Sequence, residues 1–149
     1  MVEIKASIAA IIGAIGTFLG WQGVLAVIWL CVMVMDYLSG SIAAAIHGEW
    51  SSQVAKSGVV HKVGMIFVVL VACLADIGMS QAISNLDIGL TWHYYLFPLV
   101  LIWYILTELG SILENAVKMG APVPAWLTKL LKVSLNTVNN AVDKPEESE

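Results

Sequence analysis

The chain has no arginine, and its only strong cations are seven lysines. Charged residues of both signs make up 12% of its 149 residues, whereas a soluble globular domain carries about 25%. So little charge leaves no room for a sizeable soluble domain. No basic patch reaches the density that phosphate neutralisation requires, which argues against nucleic-acid binding. Cysteine is scarce as well. Cys31 and Cys73 lie in apolar runs without a CxxC partner, so they are expected to behave as small buried hydrophobes, not as a disulfide framework or a zinc site. There is no HExxH, P-loop or dinucleotide fingerprint. Asp36 and Asp76 lack the Gly-x-Gly-Asp signature typical of intramembrane aspartyl proteases. His47 and His61 are expected on one membrane face and His93 on the other, too far apart to share a metal. Neither enzymatic activity nor a cofactor is expected.

What fills the chain is apolar: 59% of residues are hydrophobic and the mean hydropathy is +0.86. Measured against the ~20 residues that cross a bilayer, four segments stand out, at residues 6–19 (short), 24–46, 63–83 and 92–117. The expected fold is an all-α membrane protein with about four transmembrane helices in residues 1–120. A Pro-x-Pro break (Pro122, Pro124) precedes an amphipathic helix in residues 121–142. Residues 143–149 form a charged tail expected to be disordered. With four spans every lysine falls on one side, while the Gly20–Gly23 turn and the Asp87 loop fall on the other. The positive-inside rule then puts both termini in the cytoplasm. Three spans plus a surface N-terminal helix is the alternative. A cleaved signal peptide is disfavoured by Glu3 and by the lack of a clean Ala-x-Ala site.

Asp36, Asp76, Glu108 and Glu114 lie within these apolar stretches, with no lysine deep in the same stretches to pair with them. A carboxylate at bilayer depth costs several kcal/mol or more unless it is protonated, hydrogen-bonded or facing water, which makes such acids functional-site candidates. Lys62 is ~20 Å along the helix from Asp76, too far to pair with it in the same chain; a contact with a neighbouring helix is left open. On the last span Tyr104, Thr107, Glu108, Gly110, Ser111, Glu114, Asn115 and Lys118 cover roughly half the circumference. That arc must face protein, a water-filled cavity or the headgroup zone. For Asp36 and Asp76, a neutral acid hydrogen-bonded within a bundle and a residue on a wet lumen are both open.

Ala6, Ala9, Gly13, Gly16 and Gly20 recur at spacings of three and four, a seam of small residues that lets backbones approach closely. Gly40 plays the same part beside Asp36. Packing within one chain and packing between copies fit the seam equally. Beyond the proline break, Trp126, Leu127, Leu130, Leu131, Leu135 and Val138 gather opposite Thr128, Lys129, Lys132, Asn136 and Asn139. This suits an amphipathic helix on the inner leaflet anchored by Trp126, or a cytosolic helix that packs against its copies.

Particular residues carry a family likeness. These are Met35-Asp36-Tyr37-Leu38-Ser39-Gly40, Ser51-Ser52, His61-Lys62 and Asp76, and above all Glu108 followed by Ser111-Ile112-Leu113-Glu114-Asn115-Ala116, Gly120 and Pro124. Over about residues 24–131 the chain resembles the phage-lysis and toxin-secretion holins, small multi-span proteins of Gram-positive phages and prophages that include the clostridial toxin-release holins. Two features stand apart from the resemblance: His61 precedes Lys62 where a more basic pair is common, and the glycine seam is not tied to the family pattern, so its role rests on the packing argument alone. The resemblance implies homo-oligomers in the bacterial cytoplasmic membrane that open at a set time. They would release or activate an endolysin, or export a toxin, without necessarily touching either. Asp36, Asp76, Glu108, Ser111, Glu114 and Asn115 would then line or border the opening. A small oligomeric ion channel and a non-conducting membrane assembly partner are the rival readings.

Overall fold

The computed structural model describes the backbone of residues 2–86 and 89–143 and the side chains of residues 20–86 and 89–140. Four helices follow one another: α1 (Val2–Ile46), α2 (Ser52–Leu86), α3 (Leu96–Lys118) and α4 (Ala125–Asp143). There is no strand among the described residues. Three segments, Gly20–Ile46, Ser52–Leu86 and Leu96–Lys118, are long and apolar enough to cross a membrane. The protein is an all-α membrane protein.

α1 is interrupted at Gly20, whose φ of 62° and ψ of −151° lie outside helical geometry. Only glycine adopts that conformation without a steric penalty, so the break falls where Cβ is missing. A Cβ at Gly20 would meet nothing within 4 Å. Within one chain, therefore, Gly20 is a bend and not a packing contact. The other seam positions of the first segment, Ala6, Ala9, Gly13 and Gly16, lie outside the described side chains, as does the charged tail after Asp143.

The helix ends are closed locally. Gly48 (φ 70°) ends α1, with Glu49 N–H donating to the Ala44 carbonyl (2.9 Å) and Gly48 N–H to that of Ala45 (3.2 Å). Gly120 (φ 86°) ends α3 in the same way, through Ala121 to Ala116 (3.0 Å) and Gly120 to Val117 (2.9 Å). Both pairs are the Schellman arrangement, which satisfies the last carbonyls of a helix. Ser51 caps α2, its hydroxyl accepting from Val54 N–H at 3.2 Å.

α3 is the hub of the bundle: it packs on α1, α2 and α4, whereas α1 and α2 touch only marginally. The core that joins them is small, formed by Trp29 and Met33 of α1, Met65 and Val69 of α2, and Leu101 of α3. Trp29 stacks on Tyr104 with ring centroids 6.2 Å apart. Outside this core the large apolar side chains of α2, such as Phe67, Val71 and Leu74, are exposed. That surface suits lipid tails, which leave little hydrophobic drive between helices. Polar contacts must then hold α1, α2 and α3 together.

Candidate functional site: two polar layers and a polar cleft

The inner layer is built around Lys62. Its ammonium donates to Asp36 Oδ2 at 2.8 Å and to Glu108 Oε2, joining all three spans at one point. All three side chains are largely buried, at 12% exposure for Lys62, 17% for Asp36 and 5% for Glu108. Asn115, one helical face below Glu108, donates from its Nδ2 to Asp36 Oδ1 (3.2 Å) and to Ser39 Oγ (3.0 Å). The Ser39 hydroxyl in turn donates to the Asp36 carbonyl at 3.0 Å. Gly40 makes room for this: a Cβ there would stand 3.4 Å from Asn115 Nδ2. At the end of the bundle His47 Nε2 lies 2.9 Å from the Lys118 carbonyl. A carbonyl only accepts, so this nitrogen carries the proton.

The expectation that no lysine reaches the buried acids is overturned. α2 begins at Ser52, well before the apolar run that opens at Val63, so Lys62 is a helix residue and not the end of a loop. It stands ~15 Å inside α2 from its first residue, level with Asp36 and Glu108. Two carboxylates share one ammonium, leaving a formal charge of −1 in the cluster.

The outer layer belongs to Asp76, which is fully buried. Its Oδ1 accepts from the Trp92 indole (3.0 Å) and from the backbone N–H groups of Tyr95 and Leu96 (both 3.2 Å). Oδ2 accepts from Phe97 N–H at 2.7 Å. A helix begins with N–H groups that have no partner within it, and Asp76 satisfies those of α3 from a different helix. The next residue is Pro98, which has no N–H, and Leu99 N–H reaches the Tyr95 carbonyl at 3.2 Å. Every donor in the first turn is thereby accounted for. All four contacts to Asp76 are donors, so the pocket is shaped for an acceptor-only group. Trp92 is half-buried through this contact, while Tyr94 and Tyr95 are exposed.

The two layers lie ~21 Å apart along α2, with the apolar core between them. Glu108 and Asn115, two members of the polar arc of α3, turn to the inner layer. Thr107, Ser111 and Glu114 turn the other way, toward α4. That helix folds back antiparallel to α3, and the Trp103 indole donates to Asn139 Oδ1 at 2.8 Å. Between them lies a cleft of about 340 Å³, lined by Thr107, Ser111 and Glu114 on one wall and by Thr128, Lys132 and Leu135 on the other. Glu114 is exposed, and no ion pair joins it to a lysine among the described residues. Trp126 is 66% exposed near the start of α4. No group of three His, Cys, Asp or Glu side chains among the described residues is arranged to hold a metal.

Two roles were invisible in the sequence. Lys62 as the shared partner had one available signal, its place on the same face of α2 as Asp76. Asp76 as a cap had none, because its donors come from Trp92 and residues 95–97.

Comparison with known proteins places this geometry. Residues 13–136 match the model of the bacteriophage holin family. An uncharacterized protein of Halalkalibacterium halodurans is 32% identical over 130 residues, covering 87% of this chain and 92% of its own. One from Listeria monocytogenes is 33% identical over 122 residues, covering 81% and 79%. An uncharacterized 14.9 kDa protein encoded in the nagH 3' region of Clostridium perfringens is 34% identical over 103 residues, covering 69% and 70%. No solved structure matches the chain. With the family model matching well over half its length, the chain belongs to the bacteriophage holin family.

Proposed function

We propose that the protein is a non-enzymatic holin that oligomerises in the bacterial cytoplasmic membrane and permeabilises it at a set time. The lesion releases or activates an endolysin for lysis of the host cell, or lets a toxin out. One observation carries this reading: the α3 polar arc is only half neutralised within its own chain. Lys62 and Asn115 close the side that bears Asp36 and Glu108, while Thr107 and Glu114 remain exposed on the other side of a helix long and apolar enough to cross a membrane. A polar surface of that kind is costly against lipid and tolerable against water or another copy. Assembly therefore turns it toward neighbouring copies and the wet interior they enclose, with Ser111 and Glu114 on the wall and Asp36, Glu108, Asn115 and Asp76 behind it. Lysines at the α3 end and on α4 support a cytoplasmic position for that end of the bundle under the positive-inside rule.

The full chain reconstituted in liposomes with a trapped dye tests the proposal. Leakage is expected to set in steeply above a threshold protein-to-lipid ratio, together with oligomers on crosslinking. A preparation that stays monomeric and watertight at every dose overturns it. Induced expression separates the rivals: a holin gives delayed, abrupt growth arrest, a constitutive channel graded and ion-selective current, and an assembly partner neither.

A further inference from the structure

α3 and α4 together present a face that neither carries alone. At 100° per residue, Thr107, Ser111 and Glu114 of α3 fall within ~60° of one another. So do Lys132, Asn136 and Asn139 of α4. Thr107, Ser111 and Glu114 line the cleft between the antiparallel helices from one wall and Lys132 from the other, while Asn139 reaches across to Trp103 of α3. Five of the six residues are exposed, Ser111 being half-buried. Glu114 and Lys132 nevertheless make no ion pair with each other. An acid and a base on one face, each without an ion-pair partner among the described residues, make that face self-complementary.

We propose that copies of this chain meet through the α3–α4 face, with Glu114 of one copy paired to Lys132 of the next. The inference rests on the holin reading and names the joint between neighbours in its wall. An aliphatic lipid tail offers these groups nothing, whereas a second copy offers each charge its opposite and the Asn136 amide a hydrogen-bond partner. α4 is then structural to the assembly and not a separate surface anchor.

The test uses full-length chains in which Cys31 and Cys73 are replaced by serine. A tagged Glu114→Cys chain and an untagged Lys132→Cys chain are co-expressed, and membranes are oxidised. Mixed dimers are expected at least fivefold above those formed by a Val71→Cys pair, Val71 being 65% exposed on α2. A Ser111→Cys and Asn136→Cys combination repeats the measurement deeper in the face, so poor insertion of one variant does not decide the result. Mixed dimers at the Val71 level, or a doubly substituted Glu114→Cys/Lys132→Cys chain that closes only on itself, would overturn the proposal. Dye leakage measured in parallel separates the two readings. Crosslinking without leakage keeps the joint and removes the holin reading, and leakage without crosslinking does the reverse.

Discussion

Replacing Lys62 by methionine keeps the length of the side chain and removes its charge. The structure predicts that this is the most damaging single change in the inner layer. Lys62 is the one cation between Asp36 and Glu108, so its loss raises the formal charge of a buried cluster from −1 to −2. Breaking a buried pair by removing one partner typically costs about 3–5 kcal/mol, mostly from the charge left behind. Neutralising an acid works in the opposite direction. Glu108→Gln leaves one lysine facing one aspartate, a balanced pair, and is expected to cost less than about 1 kcal/mol or to stabilise. The triple variant Lys62→Met/Asp36→Asn/Glu108→Gln contains no buried charge in the layer and is expected to recover most of the loss, as uncharged replacements of buried ion pairs often do. Unfolding in mixed micelles by increasing SDS fraction, followed through helicity, orders the three proteins. If Lys62→Met unfolds within about 1 kcal/mol of the parent, or if Glu108→Gln is the weaker of the two, the charge argument is refuted.

Asp76→Ala strands three backbone donors and the Trp92 indole, each costing about 1–3 kcal/mol when buried without a partner. Amide exchange at Tyr95, Leu96 and Phe97 is expected to accelerate strongly while exchange in the Glu108 turn changes little, and equal acceleration in both places would refute the capping role. Gly40→Leu drives a side chain into Asn115, which already stands at contact distance from a Cβ, and overpacking of this kind typically costs about 1–3 kcal/mol. Gly40→Ala needs only a few tenths of an ångström of relief, so a loss equal to that of Gly40→Leu in the same SDS titration would contradict the packing described.

The all-α membrane architecture and the family were legible because both rest on local pattern. Hydropathy runs mark the spans, and the Ser-Ile-Leu-Glu-Asn block on α3 carries the family likeness. The partnership of Lys62 was not legible, because hydropathy starts α2 at Val63 while the helix starts at the Ser51 cap. Lys62, one residue outside the expected span, is thereby placed about three turns into α2. Asp76 posed a different difficulty. A cap is ordinarily recognised just before the helix it closes, whereas Asp76 stands 20 residues before Leu96, and its place there depends on the α2–α3 contact. The docking of α4 along α3 was missed for the same kind of reason. Its apolar stripe fits a membrane surface as well as a neighbouring helix, and only tertiary packing on α3, including the long-range Trp103–Asn139 bond, distinguishes the two.

The division of the α3 arc also explains how one chain can be both insertable and prone to assemble. Lipid supplies little drive between helices, so α1, α2 and α3 need polar contacts to stay together, and the Lys62 and Asp76 layers supply them at two levels ~21 Å apart. Those groups are satisfied inside a single copy and give it no reason to seek another. Had the whole arc been satisfied this way, a lone bundle would be the end state. Had none been, insertion would carry the desolvation cost of four acids at once. The structure divides the load: Asp36, Asp76 and Glu108 are spent on cohesion within the chain, and Glu114 is left over. On the proposed reading, Glu114, the one of these four acids without a partner among the described residues, is what makes self-association depend on concentration. Pairing Glu114 within its own chain, by Ser111→Lys one turn away, is therefore expected to raise the protein-to-lipid ratio at which liposomes begin to leak. An unchanged threshold would show that the leftover charge does not drive assembly.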